Sequence, residues 1–386
     1  MKDRFKGSYL SYILLFFFSY FAMAAFSSVL SVYLTGIGKT ASEMSLIVSS
    51  SGLFSFVMVP VVGYLCDVTG RPRMISAAAL LVLAASSLLF ANTRAVWGLF
   101  LLNGLGMSFY SATFPVSERL ASSSKYRYGT LRVWGTFGYA AGAQAAGIAV
   151  GKFPGWVLFT VVAISALIAI PGYIGAEDPI PGESQPLPED KVKISSFLTM
   201  PHFLLYLAIA CLLAGASGVN MNYAPLLLTS LGVATEAVGT VLFFSTLVEI
   251  PIIVFSNKYM DRFSGKSLLL VTCGLFLIQY IFYALIASAW AVVSVMVLVK
   301  AIASTLMMMI VLKIVRNLVD PRLTITAISV VNSVNNLGAI LLQNAGGAIA
   351  DRSSIQTVYL CLAGLAFLAA ILTVFLKVGN TEKVFS

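Results

Sequence analysis

The sequence predicts an all-α membrane protein: twelve transmembrane helices in two six-helix bundles related by pseudo-two-fold symmetry. Three observations predict it. Of 386 residues, 59% are hydrophobic and 10% charged, against roughly 25% charged in an ordinary soluble domain. Apolar runs of about 18 residues or more, long enough to cross a bilayer, follow one another nearly end to end. One acidic, proline-rich stretch, EDPIPGESQPLPEDKVK from Glu177 to Lys193, divides them at mid-chain and reads as a linker. The expected domains are residues 1–176, a linker at 177–198, and residues 199–386.

Breaking the chain at charged or Gly/Pro-bearing gaps places the spans near 8–35, 42–66, 74–91, 95–121, 128–150 and 155–176, then 199–230, 234–257, 266–287, 289–314, 323–348 and 355–377. The first apolar run is too long for the core of a signal peptide and lacks a small-residue cleavage pattern, so it is expected to be retained as a span. With the N-terminus inside, 18 of the 24 Lys and Arg residues fall in inner segments, and only Lys39, Arg94, Lys152 and Arg352 in outer ones. This positive-inside bias predicts a multi-pass protein of the cytoplasmic (inner) membrane with both termini cytoplasmic. Trp97, Trp156 and Trp290 begin spans on the outer side, where an interfacial aromatic belt belongs.

The same bias accounts for the net charge of +9. The basic residues sit in short gaps and form no single solvated face, so no nucleic-acid partner is expected. Cys66, Cys211, Cys273 and Cys361 show no CxxC or Cys/His spacing, which indicates neither a disulfide framework nor a metal site. There is no GxxxxGK[ST] loop, so no ATP site on this chain and no required ATPase subunit, and no GxSxG or HExxH pattern, so no enzyme. The expected partners are a small-molecule substrate and membrane lipid, with no cofactor other than a proton as coupling ion, and the chain is expected to act as a monomer.

Ionisable residues inside spans cost at least a few kcal/mol, are functional candidates by default and should have a partner. Lys300 lies about 11 residues, or about 16 Å, into span ten, near the middle of a core about 30 Å thick. Glu249 in span eight is its expected counter-charge, and Glu118 with Arg132 forms the analogous pair in the first half. Two roles fit Glu249: a coupling site that loads and releases a proton as access alternates, or a permanent salt bridge with Lys300 that holds helices together. In span eleven, Asn332, Asn336 and Gln343 recur at helical spacing, either lining a cavity or bonding helix to helix. Asn222, Gln144 and the aromatic Tyr20 are further candidates to meet a hydroxylated or heterocyclic solute.

The turn after span two reads Gly63-Tyr64-Leu65-Cys66-Asp67-Val68-Thr69-Gly70-Arg71-Pro72-Arg73, and a degenerate copy, from Asn257 through Asp261 to Lys266, follows span eight. Asp67 and Asp261 are 194 residues apart, about half the chain. This turn resembles the signature loop of the major facilitator superfamily, which implies two parallel six-helix bundles with a cavity between them, and gives Asp67, Arg71 and Asp261 gating roles. The stretch Pro115-Val116-Ser117-Glu118, followed by Arg127 to Tyr139, is similar to the helix four to helix five region of the lactose-permease-like branch, which includes oligosaccharide, nucleoside and phenylpropionate proton symporters. That resemblance implies sugar binding at Glu118 and Arg132.

Two departures stand beside the resemblance. Where the branch carries a His and a Glu beyond the span-ten lysine, this chain has Ala303 and Leu306, so any proton coupling follows a different route. Helix five lacks the Gly-Pro step of the antiporter motif, reading Gly138-Tyr139-Ala140-Ala141-Gly142. The expected function is a secondary transporter of a small polar organic solute, oligosaccharide or nucleoside, by proton symport. The alternative is an exporter or uncoupled facilitator of the same fold. A shift of 194 residues maps Lys300 onto Gly106 and Glu249 onto Ser55, so the symmetric scaffold is expected to hold an asymmetric site.

Overall fold

The computed structural model describes residues 5–122, 124–126, 128–177, 200–255, 260, 262–319 and 324–379. Two predicted gating groups, Asp261 and the Asp67 side chain, lie outside the described residues.

Among the described residues, twelve long helices follow the apolar runs. They are α1 Tyr9–Gly36, α2 Ala41–Thr69, α3 Pro72–Asn92, α4 Val96–Ser122, α5 Tyr128–Lys152 and α6 Gly155–Gly175, then α7 Pro201–Ser230, α8 Thr235–Val254, α9 Gly265–Leu285, α10 Ala289–Leu318, α11 Thr324–Arg352 and α12 Ile355–Phe375. Local chemistry sets the ends. Thr40 and Glu43 form a reciprocal capping box at the start of α2, satisfying two otherwise unpaired N–H groups. Ser264 and Ser354 accept N–H groups of the first turns of α9 and α12. Gly70 ends α2 in the left-handed region, φ +62°, where a side chain would be strained.

Among the described residues, ten of the twelve helices are long and apolar enough to cross a membrane. The two that are not, α5 and α11, carry Arg132 and Gln144, and the Asn332 to Asn344 amides. Polar candidates are thus concentrated on the least apolar helices. Large apolar side chains such as Phe56, Trp97 and Trp290 point outward, 63%, 66% and 84% exposed, a surface suited to lipid rather than water.

The chain divides into two compact units: Met1–Pro186 with Val233–Phe243, and Leu187–Gly232 with Phe244–Ser386. The same pairings recur inside each. In the first, α1 packs on α5 and α3 on α6; in the second, α7 packs on α11 and α9 on α12. The α1/α5 contact depends on Gly138, where a β-carbon would fall on the Phe17 carbonyl. At Gly338 on α11 it would lie 2.7 Å from the Cys211 carbonyl oxygen of α7. Small residues let the backbones approach this closely.

A basic clasp also recurs. Arg73, in the first turn of α3, donates to the Ala176 carbonyl just past α6 at 2.6 Å. Lys266, in the first turn of α9, donates to Val374 near the end of α12, also at 2.6 Å. A cation at a helix C-terminus satisfies open carbonyls and the helix dipole together. In the second unit Lys313 of α10 is buried and donates to the carbonyls of Met260 and Phe263, tethering the turn before α9.

Candidate functional site

Among the described residues, each unit places an acid–base contact between its helices. In the first unit, Arg132 on α5 meets Glu118 on α4, with Nε 3.2 Å from Oε1. The guanidinium also lies 4.5 Å from the centre of the Tyr20 ring of α1 and 5.9 Å from that of Phe114 of α4. The two rings meet edge to face at 6.1 Å. A cation held against ring faces is attracted by their quadrupoles, so the aromatics orient Arg132 while Glu118 balances its charge. The two charged side chains are 29% and 24% exposed. They can offer forked donors and an acceptor to a hydroxylated solute, beside an aromatic face suited to stacking.

Gly135 makes this geometry possible. A β-carbon there would stand 2.9 Å from Arg132 Nη1 and 3.1 Å from the Tyr20 ring. Gln144 lies farther along α5 and is partly exposed. Arg71 is exposed in the α2–α3 turn, where its backbone N–H bonds the Thr69 hydroxyl at 3.3 Å.

In the second unit, Lys300 on α10 sits 3.8 Å from Glu249 on α8, side chains 24% and 27% exposed. Two serines complete the group. Lys300 Nζ donates to Ser245 Oγ at 3.4 Å. Ser304 Oγ is 3.4 Å from Glu249 Oε1 and 2.8 Å from the Lys300 carbonyl. Lys300 closes a π-helical turn, Met296–Lys300, inside α10. Such turns are frequent at functional sites.

Next to this group opens a cleft of about 380 Å³ lined by residues of α7, α10 and α11, among them Ser217, Ser304, Met307, Met308, Asn332 and Asn335. Asn332 and Asn336 are exposed. Gln343 is 3% exposed and accepts from Asn222 Nδ2 at 3.2 Å, while the same Nδ2 donates to the Gly218 carbonyl. The members of the span-eleven stripe thus meet different groups. Asn332 faces the cleft, and Gln343 faces α7.

Phe114, Ser245 and Ser304 carry the geometry and were missed by sequence reasoning. The signal was spacing: Phe114 precedes Glu118 by four residues, and Ser304 follows Lys300 by four, which puts each on its partner's face. Among the described residues no group of three His, Cys, Asp or Glu residues could hold a metal.

Comparison with known proteins gives the same architecture. The maltose permease of Geobacillus stearothermophilus is 26% identical over 355 residues, covering 90% of this chain and 89% of that one. The probable 3-phenylpropionic acid transporter of Escherichia coli (strain K12) is 25% identical over 271 residues, covering 67% and 70%. Among solved structures, a mutant of the nucleoside transporter NupG superposes with a TM-score of 0.86 at 14% identity, covering 95% of this chain and 99% of that one. The D-xylose-proton symporter gives 0.72 at 14% identity, covering 98% and 99%. At these identities the structural matches establish the fold. The MFS_1 like family matches residues 9–361. With that match spanning nearly the whole chain, the protein belongs to the MFS_1 like family and is a multi-pass membrane transporter of the major facilitator superfamily, not an enzyme.

Proposed function

We propose that this transporter imports an oligosaccharide- or nucleoside-type solute across the cytoplasmic membrane together with protons, as a monomer with both termini in the cytoplasm and no ATPase subunit. The observation that carries the reading is the pair of partly exposed acid–base contacts, Glu118–Arg132 and Glu249–Lys300, each about a quarter exposed. Charges at membrane depth are costly and belong on a water-accessible path. The Glu118–Arg132–Tyr20 group has the donors, acceptor and ring face to hold a polyhydroxylated ring. Glu249, facing Lys300 and the Ser304 hydroxyl, is suited to carry a proton. The named maltose, sucrose and raffinose permeases among its relatives favour the oligosaccharide class.

Proteoliposome uptake tests it, using maltose, sucrose, raffinose and nucleosides with and without an inward proton gradient. The expected result is accumulation above equilibrium that a protonophore abolishes. Uptake indifferent to the gradient would make the protein a facilitator, and gradient-driven loss of preloaded solute would make it an exporter. No uptake or loss of any panel member would overturn the solute class.

A further inference from the structure

The cleft of the second unit and the Glu249–Lys300 pair share one side chain, Ser304. Ser304 lines the cleft, and its hydroxyl stands within hydrogen-bonding distance of the Lys300 carbonyl at 2.8 Å, the Ala301 carbonyl at 3.3 Å and Glu249 Oε1 at 3.4 Å. A serine hydroxyl has one proton to donate, so only one of these acceptors holds it fully at a time. The charged group facing Glu249 is Lys300, which is itself shared with the Ser245 hydroxyl. Any cleft ligand that bonds Ser304 changes what the Glu249 carboxylate receives.

The cleft is built to take such a ligand. Asn335 is one of the lining residues, and its Oδ1 is buried without a hydrogen-bond partner among the described residues, a state that buried acceptors seldom keep. Its lining groups are neutral: thioethers from Met307 and Met308, aliphatic side chains, hydroxyls and amides. The ligand portion that fits is uncharged, presents polar groups to the lining hydroxyls and amides, and lays an apolar face on the methionines. A pyranose ring or the edge of a nucleobase has this chemistry, and a carboxylate does not. The π turn ending at Lys300 sets Ser304 one helical turn beyond it, on the same face.

We infer that Ser304 is the positioning residue through which a neutral solute ring in the α7–α10–α11 cleft acts on the Glu249–Lys300 pair. The inference rests on the symport reading above. When the solute draws the Ser304 hydroxyl away, Glu249 loses a donor, its hold on a proton changes, and binding is linked to proton movement. Ser304 need not touch the proton itself.

The test uses the full chain in proteoliposomes with the panel solute it transports best. Two quantities are read: solute counterflow, which needs no net proton movement, and solute-evoked proton influx from an internal pH dye. In Ser304→Ala, counterflow is expected to fall because the solute loses the serine contact, and protons moved per solute, counted in the same vesicles, are expected to fall roughly tenfold besides. Ser304→Thr, which keeps the hydroxyl, is expected to restore the ratio. A fall in proton influx only in proportion to counterflow, which leaves the ratio unchanged, overturns the inference and leaves the symport reading standing. A natural chain that moves solute without protons overturns the symport reading and this inference with it. Thiol labelling of Ser304→Cys, with background from the native cysteines subtracted, reads occupancy separately. Saturating solute is expected to slow it, and unaltered labelling would show that the cleft does not hold the solute.

Discussion

The Arg132 guanidinium lies over the Tyr20 ring, 4.5 Å from its centre, joining α5 to α1 beside the Glu118 carboxylate. Tyr20→Phe keeps the ring face and is expected to retain most transport. Tyr20→Leu removes an attraction of about 0.5–2 kcal/mol, and initial uptake should fall roughly two- to thirtyfold. Arg132→Lys keeps the charge but not the planar fork, and is expected to lose at least as much. Initial rates at low solute concentration check all three.

Gly135 gives a second handle on the same group. Gly135→Val would push against Arg132 and Tyr20, so uptake should be lost while the protein remains monodisperse on size-exclusion chromatography. Gly135→Ala should show an intermediate loss. A Val variant with natural uptake would mean that Arg132 is not held where the structure puts it.

Glu249→Gln separates coupling from scaffold. If Glu249 carries the proton, counterflow persists while gradient-driven accumulation drops to the equilibrium level. If the carboxylate only pairs with Lys300, the substitution leaves an uncompensated lysine, worth about 3–5 kcal/mol in a buried pair and less at this exposure. Thermal stability then falls and accumulation does not. Measuring both on one preparation decides.

The Asn222–Gln343 bond ties α7 to α11. A double-mutant cycle with Asn222→Ala and Gln343→Ala should return a coupling energy near 0.6 kcal/mol, the usual scale for amides bonded between membrane helices. Zero coupling in stability, with a changed solute preference, would instead assign both amides to the solute.

Lys313→Met leaves the carbonyls of Met260 and Phe263 short of a buried donor, at a cost of about 1–3 kcal/mol. The melting temperature in detergent should drop measurably. Lys313→Arg should recover part of the loss, because a guanidinium can reach the same carbonyls.

The helices were legible because apolar run length is itself the membrane-crossing signal, and the proline-rich break marked mid-chain. The two charged pairs were legible because an ionised group at membrane depth demands a partner, and each half held one acid and one base at similar depth. The remainder depends on which neighbour a face meets. Helical spacing placed Asn332, Asn336 and Gln343 on one stripe, yet Gln343 packs against Asn222 on α7 while Asn332 borders the cleft. Phe114 and Ser304 were hidden in plain view, since an apolar ring or a hydroxyl in a span carries no cost that singles it out. The α2–α3 turn held another surprise: Arg73 makes the tertiary contact with the end of α6, whereas Arg71 stays exposed.

The π turn at Met296–Lys300 behaves as a spacer one residue wider than an ordinary turn, because its hydrogen bonds skip five residues where an α-helix skips four. Everything after it on α10 is rotated by roughly 100° from where an uninterrupted helix would carry it. Lys300, Ser304 and the two cleft methionines owe their common heading to that offset. Straightening the turn with every residue kept would re-aim these side chains together and dismantle the site without altering its chemistry, whereas deleting one residue as the turn straightens would leave their heading unchanged.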